Sequence, residues 1–370
     1  MPNPKSKVFF ADLRAGSRRN LFDKIGELLS LAGVAERFRK GHLVAIKLHF
    51  GEKGNSSYIR PVFVRRVVDS VKETGALPFL TDTNTLYVGT RGDTVNHLTT
   101  AIGNGFAYPV VNAPLVIADG LRGELFTEVK VGGKFFESVK IASMIASSNG
   151  IVALTHFKCH EMTGFGGALK NIGMGCASRE GKLSQHSNLA PLVDPAGCTA
   201  CGECSLACPV DAIDIGNVAV INASSCIGCG HCIAACPEGT INIQWTETAS
   251  NLQGKMAEYA KGALSGKEDR ALFVNFITDV SPACDCYGHN DAPIVPDIGI
   301  LASHDPVAID QASADLVNAG EGIKDSALKS GRERGGDKFR GVHPTVDWEV
   351  QLDSAEGLGL GKRVYEIEKI

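Results

Sequence analysis

The sequence predicts an α/β protein: a mainly parallel sheet domain formed by both ends of the chain, with a smaller α+β domain inserted between them. Three observations lead there. Up to about residue 190, short apolar runs alternate with amphipathic helical stretches; the same alternation resumes after residue 245; and the stretch between is dense in cysteine. The expected divisions are 1–190 for the first part of the α/β domain, 191–245 for the insertion and 246–370 for the remainder. Strands alternating with helices of this length imply βαβ units.

Taken in order, strands are expected at 8–13, 43–50, 77–81, 115–118 and 151–155. Helices are expected at 18–32, where Leu21, Ile25, Leu28 and Leu29 share a face, and at 61–74, where Val64, Val67, Val68 and Val71 do. Pro61 suits a first helical turn, where its missing N–H has no partner to lose, and Gly75 stands where a helix stops. Residues 123–139 alternate as a hairpin with Gly132-Gly133 as its turn. Residues 156–186 are Gly-rich and read as irregular. The insertion carries short strands at 212–215 and 241–243. Beyond it come a helix at 252–264, strands at 271–278 and 298–301, and a helix at 306–317 with Asp305 as N-cap and Pro306 as first residue. Asp310, inside that helix, reads as structural, and GRERGGDKFRG at 331–341 reads as a loop.

Composition narrows the classes. Against 41 Asp and Glu stand 37 Lys and Arg, a net charge of −4, so no basic excess points to nucleic acid. No run approaches the ~18 apolar residues of a membrane span, and MPNPKSKVFFADLRAG puts charges where a signal peptide needs its apolar core. A cytoplasmic protein is expected, and its twelve cysteines read as metal ligands or redox groups rather than disulfides.

Eight of those cysteines form CTACGECSLACP and CIGCGHCIAACP, the pattern C-x2-C-x2-C-x3-C-P written twice. This is the spacing of a bacterial 2[4Fe–4S] ferredoxin domain, in which the fourth cysteine of each run ligates the other cluster. Cys198, Cys201, Cys204 and Cys236 are expected to hold one [4Fe–4S] cluster, and Cys226, Cys229, Cys232 and Cys208 the second. Zinc knuckles or a disulfide framework fit less well, because neither gives the proline a role. His231, between two of these cysteines, reads as a residue that tunes a cluster by hydrogen bonding.

Just upstream lies HFKCHEMTGFGGALKNIGMG, followed by His186. If the strand at 151–155 continues, His156, Lys158 and His160 point to one side. Gly164, Gly166 and Gly167 leave room for a ligand to approach the backbone, and Lys170 and Asn171 supply a cation and an amide. Such groups serve as metal ligands, acid/base catalysts or anion clamps; read blandly, they are a Gly-rich turn with solvated charges. A second constellation, CDCYGHND, offers Cys284, Cys286 and His289 as a third metal site or a redox dithiol, with Cys159 as an extra thiol. Weaker candidates follow other strands: Lys47, His49 and Glu52, then Asp82, Asn84, Arg91 and His97.

The run His160-x3-Gly164-Phe165-x-Gly167-x2-Lys170, with His186 beyond it, resembles the signature loop of the nickel-pincer lactate racemase family. The resemblance implies an acid/base at His160, a cofactor-bearing lysine at Lys170 and a metal ligand at His186. Gly166-Gly167-Ala168-Leu169 stands where that family has Ser-Gly-Gly-Pro. Over a larger part of the chain, VAIKLHFGEKGN, the H-x-K-x-H and GALKN pieces, the cysteine insertion and PDIGILASHDPVAID resemble a family of uncharacterised iron–sulfur centre proteins. That likeness implies an architecture without a substrate.

The expected function is that of a ferredoxin-type oxidoreductase passing electrons through two clusters to a substrate or cofactor held by the loop at 156–186, with His49 and Asp82 helping to bind it. An additional metal ion or organic cofactor is compatible with the loop, as is a redox partner protein or small-molecule donor. Two other classes are a non-catalytic electron-transfer or scaffold protein and a metal-dependent isomerase or lyase with structural clusters.

Overall fold

The computed structural model describes residues 5–87 and 89–370. In chain order its strands are β1 (Ser6–Asp12), β2 (Leu43–Lys47), β3 (Leu77–Asp82), β4 (Leu115–Ile117), β5 (Phe126–Lys130), β6 (Ser138–Ala142), β7 (Gly150–His156), β8 (Lys158–His160) and β9 (Gly164–Gly166). They continue with β10 (Leu192–Val193), β11 (Ile213–Ile215), β12 (Ala219–Ile221), β13 (Ile241–Asn242), β14 (Ala271–Ile277), β15 (Gly299–Ser303) and β16 (Tyr365–Lys369). The central sheet has eight strands in the order β16-β1-β15-β14-β7-β2-β3-β4. Only β15 runs against its neighbours; the other pairings are parallel. Both ends of the chain therefore build one mixed α/β sheet.

Alternate residues of its central strands fall into two separate cores. Val44, Ile46, Val152, Leu154, Leu272 and Val274 face one side, packed under the helices Leu21–Leu31 and Pro61–Glu73. Ala45, Ile151, Ala153, Ala271 and Phe273 face the other, under Ala249–Leu264 and Pro306–Ala319. A sheet covered on both faces needs apolar residues at every position, and this is why these strands read as unbroken apolar runs.

Several expectations need correction. β5 and β6 do form an antiparallel hairpin, but their connection spans 131–137, and Gly132-Gly133 is only part of it. Residues 156–186 are ordered into the β8–β9 hairpin and the helices Ala168–Gly173 and Arg179–His186. The supposed loop at 331–341 contains most of the helix Lys338–Val342, whose N-cap Asp337 accepts from Arg340 N–H; the Lys338 ammonium is buried against three backbone carbonyls. Asp305 caps Pro306–Ala319 as expected, accepting from Val307 and Ala308.

Residues 191–245 leave and rejoin this body through β10 and β13, which pair antiparallel. Between them lie the β11–β12 pair and two short helices, Glu203–Leu206 and His231–Ala235, each preceded by a glycine with φ of 82° and 70°. Their small core combines Cys204, Cys232, Ile213, Ala219, Ile233 and Ile241 with Leu86 and Leu183 from the body.

Candidate functional site

Parallel strands β2, β3 and β7 end side by side at Lys47, Asp82 and His156. From β2 the chain proceeds to β3 and β4 on one side, whereas β7 and β14 extend the other. Loops diverge at such a switch point and leave a crevice. Here the crevice is a cavity of about 930 Å³, lined by segments following β2, β3, β7, β9 and β14.

The alternation in H-F-K-C-H decides what faces it. His156, Lys158 and His160 line the cavity, while Phe157 and Cys159 are buried in the apolar core. Cys159 thus offers no ligand to the cavity, contrary to expectation, and burial pushes its thiol pKa far up. The next turn depends on a distant residue. Ala168–Gly173 has no side-chain cap of its own, and the buried Asp310 carboxylate accepts from the N–H groups of Ala168 (2.7 Å) and Leu169 (2.9 Å). A side chain at Gly167 would collide with that carboxylate. Burial raises Asp310 to about 6 despite the bonds it accepts from Leu169, Asn275 and Ala168. The helix so anchored presents Lys170 and Asn171 to the cavity, and Asn171 is fixed by Lys47 Nζ (2.8 Å) and by Leu154 O (2.9 Å).

Charges are paired throughout the floor. Lys47 Nζ lies 3.0 Å from Asp82 Oδ1, Arg91 Nη1 lies 3.6 Å from Asp82 Oδ2, and Arg91 Nε lies 3.1 Å from Glu52 Oε2. Burial works to raise the Asp82 carboxyl, but Lys47, His97, His49 and Arg91 hold it well below the usual carboxylate range. Burial lowers His49 to about 3, so it is neutral at pH 7. Asp285 is fully buried between His156 Nδ1 (2.8 Å) and Lys158 Nζ (3.0 Å). Burial would raise this carboxyl too; His156 and Lys158 outweigh it and hold it well below its ordinary value.

Two histidines present opposite tautomers. His160 Nδ1 accepts the Met162 N–H at 3.1 Å, so when neutral its proton sits on Nε2. His186 Nδ1 faces the Lys182 carbonyl at 2.9 Å and must donate, leaving Nε2 with a lone pair. Burial lowers His186 to about 4, and Trp245 packs edge-on against it at 5.0 Å. One cavity thus carries a proton donor and a basic or metal-ligating nitrogen.

The turn at Cys284–Tyr287, closed by Tyr287 N–H to Cys284 O (3.2 Å), brings both thiols of C-x-C to the cavity wall. Lys170 Nζ lies 3.9 Å from Cys284 Sγ. His289 is exposed and does not line the cavity, so the expected Cys284, Cys286, His289 set does not assemble; its ring packs on Tyr287 at 5.6 Å instead. Among the described residues, no three His, Cys, Asp or Glu side chains converge as ligands of a single metal ion.

The helix Arg179–His186 lies between the cavity and the core of the inserted unit, which reaches the cavity itself at Trp245. Lys182 and His186 face the cavity, whereas Leu183 enters the small core of the insertion. Within the insertion, Cys198, Cys201, Cys204 and Cys236 wall one hollow, and Cys208, Cys226, Cys229 and Cys232 wall another. Backbone N–H groups of Ala219, Thr240 and Ala212 point at Cys198, Cys236 and Cys208 sulfurs at 3.4, 3.4 and 3.3 Å. The second hollow adjoins the body: Gly230 packs on the Arg179 side chain and Leu86.

Of the residues singled out from sequence, His49, Asp82, His156, Lys158, His160, Gly166, Gly167, Lys170, Asn171, His186, Cys284 and Cys286 meet in this one cavity. Gly164 does not; its φ of 72° places it against Trp348, and its lack of a side chain serves that packing. Asn84 is bound to Asp119, and His97 is buried against Phe50 and lies 3.9 Å from Asp82. Cys176 is fully buried in the apolar core. Sequence reasoning missed Lys182, Glu161, Tyr87 and Asp285. Lys182 had a signal, since Ser178 caps its helix by accepting from Gly181 N–H.

A family model described as a domain of unknown function, DUF362, matches residues 44–315. The chain belongs to that family. In DUF362 terms the match takes in β2 to β15, the cavity and the whole cysteine insertion. No curated protein matches the sequence. Among solved structures, the chain is similar to the lactate racemase apoprotein from Thermoanaerobacterium thermosaccharolyticum, with a TM-score of 0.38 and 16% identity over 73% of this chain and 51% of that one. It is also similar to a protein from Thermotoga maritima, with a TM-score of 0.38 and 10% identity over 93% of this chain and 60% of the other. The chain thus spans about half the length of the racemase chain it matches. No helix among the described residues is long and apolar enough to cross a membrane.

Proposed function

We propose that this DUF362 protein is an iron–sulfur oxidoreductase: residues 191–245 form an inserted ferredoxin-like domain that holds two [4Fe–4S] clusters, and the cavity holds a small anionic substrate or cofactor. The observation that carries this reading is the pair of four-cysteine hollows, each walled by one of the ligand sets expected from the doubled motif. The donor set fits the group. Each set of four cysteines walls one hollow, and backbone N–H groups directed at three of the sulfurs suit thiolates. Clusters of this kind supply electrons one at a time.

The chain's own residues do the rest. Cys201 is exposed, so the first hollow lies toward a redox partner protein or small donor, while the second adjoins the body through Leu86 and Arg179. In the cavity Lys158 and Lys170 hold an anionic group, His160 donates a hydrogen bond from Nε2, and Asn171 fixes orientation. Anaerobic reconstitution followed by elemental analysis and EPR tests the proposal. About eight irons per chain and two reducible centres are expected; two zincs and no iron would overturn it.

A metal-dependent isomerase or lyase is the second reading, and one observation favours it: the Nε2 lone pair of His186 is presented to the cavity by the Nδ1–H to Lys182 bond, as for a metal ligand. Stoichiometric nickel or zinc beyond the iron, lost in His186→Gln, would put this reading first.

A further inference from the structure

We propose that Cys284 and Cys286 are a redox-active dithiol, which closes to a disulfide as a small disulfide-containing substrate in the cavity is reduced to two thiols. This names a substrate class for the oxidoreductase reading and rests on it. Four cysteines lie outside the doubled motif. Cys159 and Cys176 are fully buried in the apolar core, so the pair on the cavity wall are the thiols a substrate can reach.

The geometry suits a dithiol. Consecutive Cα atoms are about 3.8 Å apart, so two residues apart across a bend fall within the roughly 4.4–6.8 Å that a disulfide needs. Asp285, between them, is clamped by His156 and Lys158 beneath the cavity floor, and its carbonyl accepts the Glu52 N–H at 3.2 Å. The Cys286 carbonyl accepts from Tyr87 Oη at 3.2 Å. Held at both points, the turn leaves its two thiol-bearing side chains on the cavity wall.

The two sulfurs are not equivalent. Cys284 Sγ receives the Cys286 backbone N–H at 3.4 Å and faces Lys170 Nζ at 3.9 Å. The Cys286 thiol, then Lys170 and His160, hold the Cys284 thiol pKa well below its ordinary value, while Cys286 is pushed up. Cys284 is therefore the attacking thiolate and Cys286 the resolving thiol.

The chemistry balances as follows. Cys284 Sγ attacks one sulfur of R–S–S–R′, forming a Cys284–S–S–R mixed disulfide and releasing R′S⁻, which takes a proton from the Lys170 ammonium beside Cys284. Cys286 loses its proton to the base this leaves and attacks Cys284 Sγ, forming the Cys284–Cys286 disulfide and releasing RS⁻, which leaves protonated from water. The substrate gains two electrons and two protons; the dithiol is oxidised by the same two electrons. Two successive electrons from a low-potential one-electron donor, with one proton, restore the Cys284 thiolate and the Cys286 thiol.

The test equilibrates anaerobically prepared full-length protein in glutathione buffers of graded ratio, traps free thiols with iodoacetamide and weighs the peptide carrying both cysteines. We expect a reversible loss of two hydrogens at a defined ratio, absent in both Cys284→Ser and Cys286→Ser. We also expect alkylation of Cys284 to persist at pH 6 and to slow at least tenfold in Lys170→Gln. A disulfide that never forms, or forms only with a strong oxidant, would overturn the dithiol while iron analysis and EPR leave the oxidoreductase reading intact. A dithiol that titrates in a protein reconstituting no iron would remove the reductase reading and keep the pair.

Discussion

The cysteine insertion and the cavity share one helix, Arg179–His186, and are built in opposite ways. The insertion is short-range: its two cysteine sets come from two adjacent motifs, its strands are two or three residues long, and its core borrows Leu86 and Leu183. So small a core stabilises little by itself, and the proposed clusters would supply the rest. The cavity is long-range: Lys47, Asp82, His156, Asp285 and Asp310 come from separate elements and are locked by mutual charge pairing and hydrogen bonds before any ligand arrives. On the proposed reading, one region would be organised by the clusters it holds, whereas the other is organised in advance.

Four substitutions break or sharpen that contrast. The largest effect is expected from Cys204→Ser, which should halve the iron from about eight to about four per chain and expose residues 191–245 to protease while the sheet domain keeps its melting transition. Loss of the whole fold would refute independent organisation. Next comes Asp285→Asn, which leaves Lys158 buried beside a neutral partner and should cost about 3–5 kcal/mol in chemical denaturation. Because the folded Asp285 pKa is depressed, its contribution is present above the unfolded value near 3.8 and is lost as pH falls through the lower folded value. The wild-type advantage should therefore shrink below pH 4.

Asp310 has the opposite sign. Its folded pKa is raised from 3.8 to about 6, so its contribution is complete below 3.8 and falls away as pH rises through 6. Between pH 4 and 7 the wild type should lose about 2 kcal/mol relative to Asp310→Asn, measured by urea midpoints at both pH values; a difference that does not change with pH would contradict this. The smallest effect is expected at the seam. Leu86→Ala should cost about 2 kcal/mol, and amide exchange should quicken in Arg179–His186 more than in β2 or β7.

How much could be read beforehand follows the same division. Strands 8–13, 43–50, 77–81 and 151–155 were legible to within a few residues because sheet burial on both faces writes itself as apolar runs. The hydrogen-bonding partners of the cavity were not, since Asp285 meets His156 across 129 residues and Asp310 caps Ala168–Gly173 across 142. A helix start whose cap comes from elsewhere leaves no local trace, and this is why residues 168–173 read as irregular. The edge strand β16 was missed for a different reason: Tyr365–Lys369 is largely exposed and too polar to stand out.

β10 and β13 have a consequence beyond the site. The chain leaves the α/β body at Leu192–Val193 and returns at Ile241–Asn242, hydrogen-bonded side by side. To the body, everything between those strands is the tip of a hairpin, and lengthening such a tip costs little entropy, about 0.6 kcal/mol for each doubling. The unit at 194–240 is thus a graft on a fixed stem.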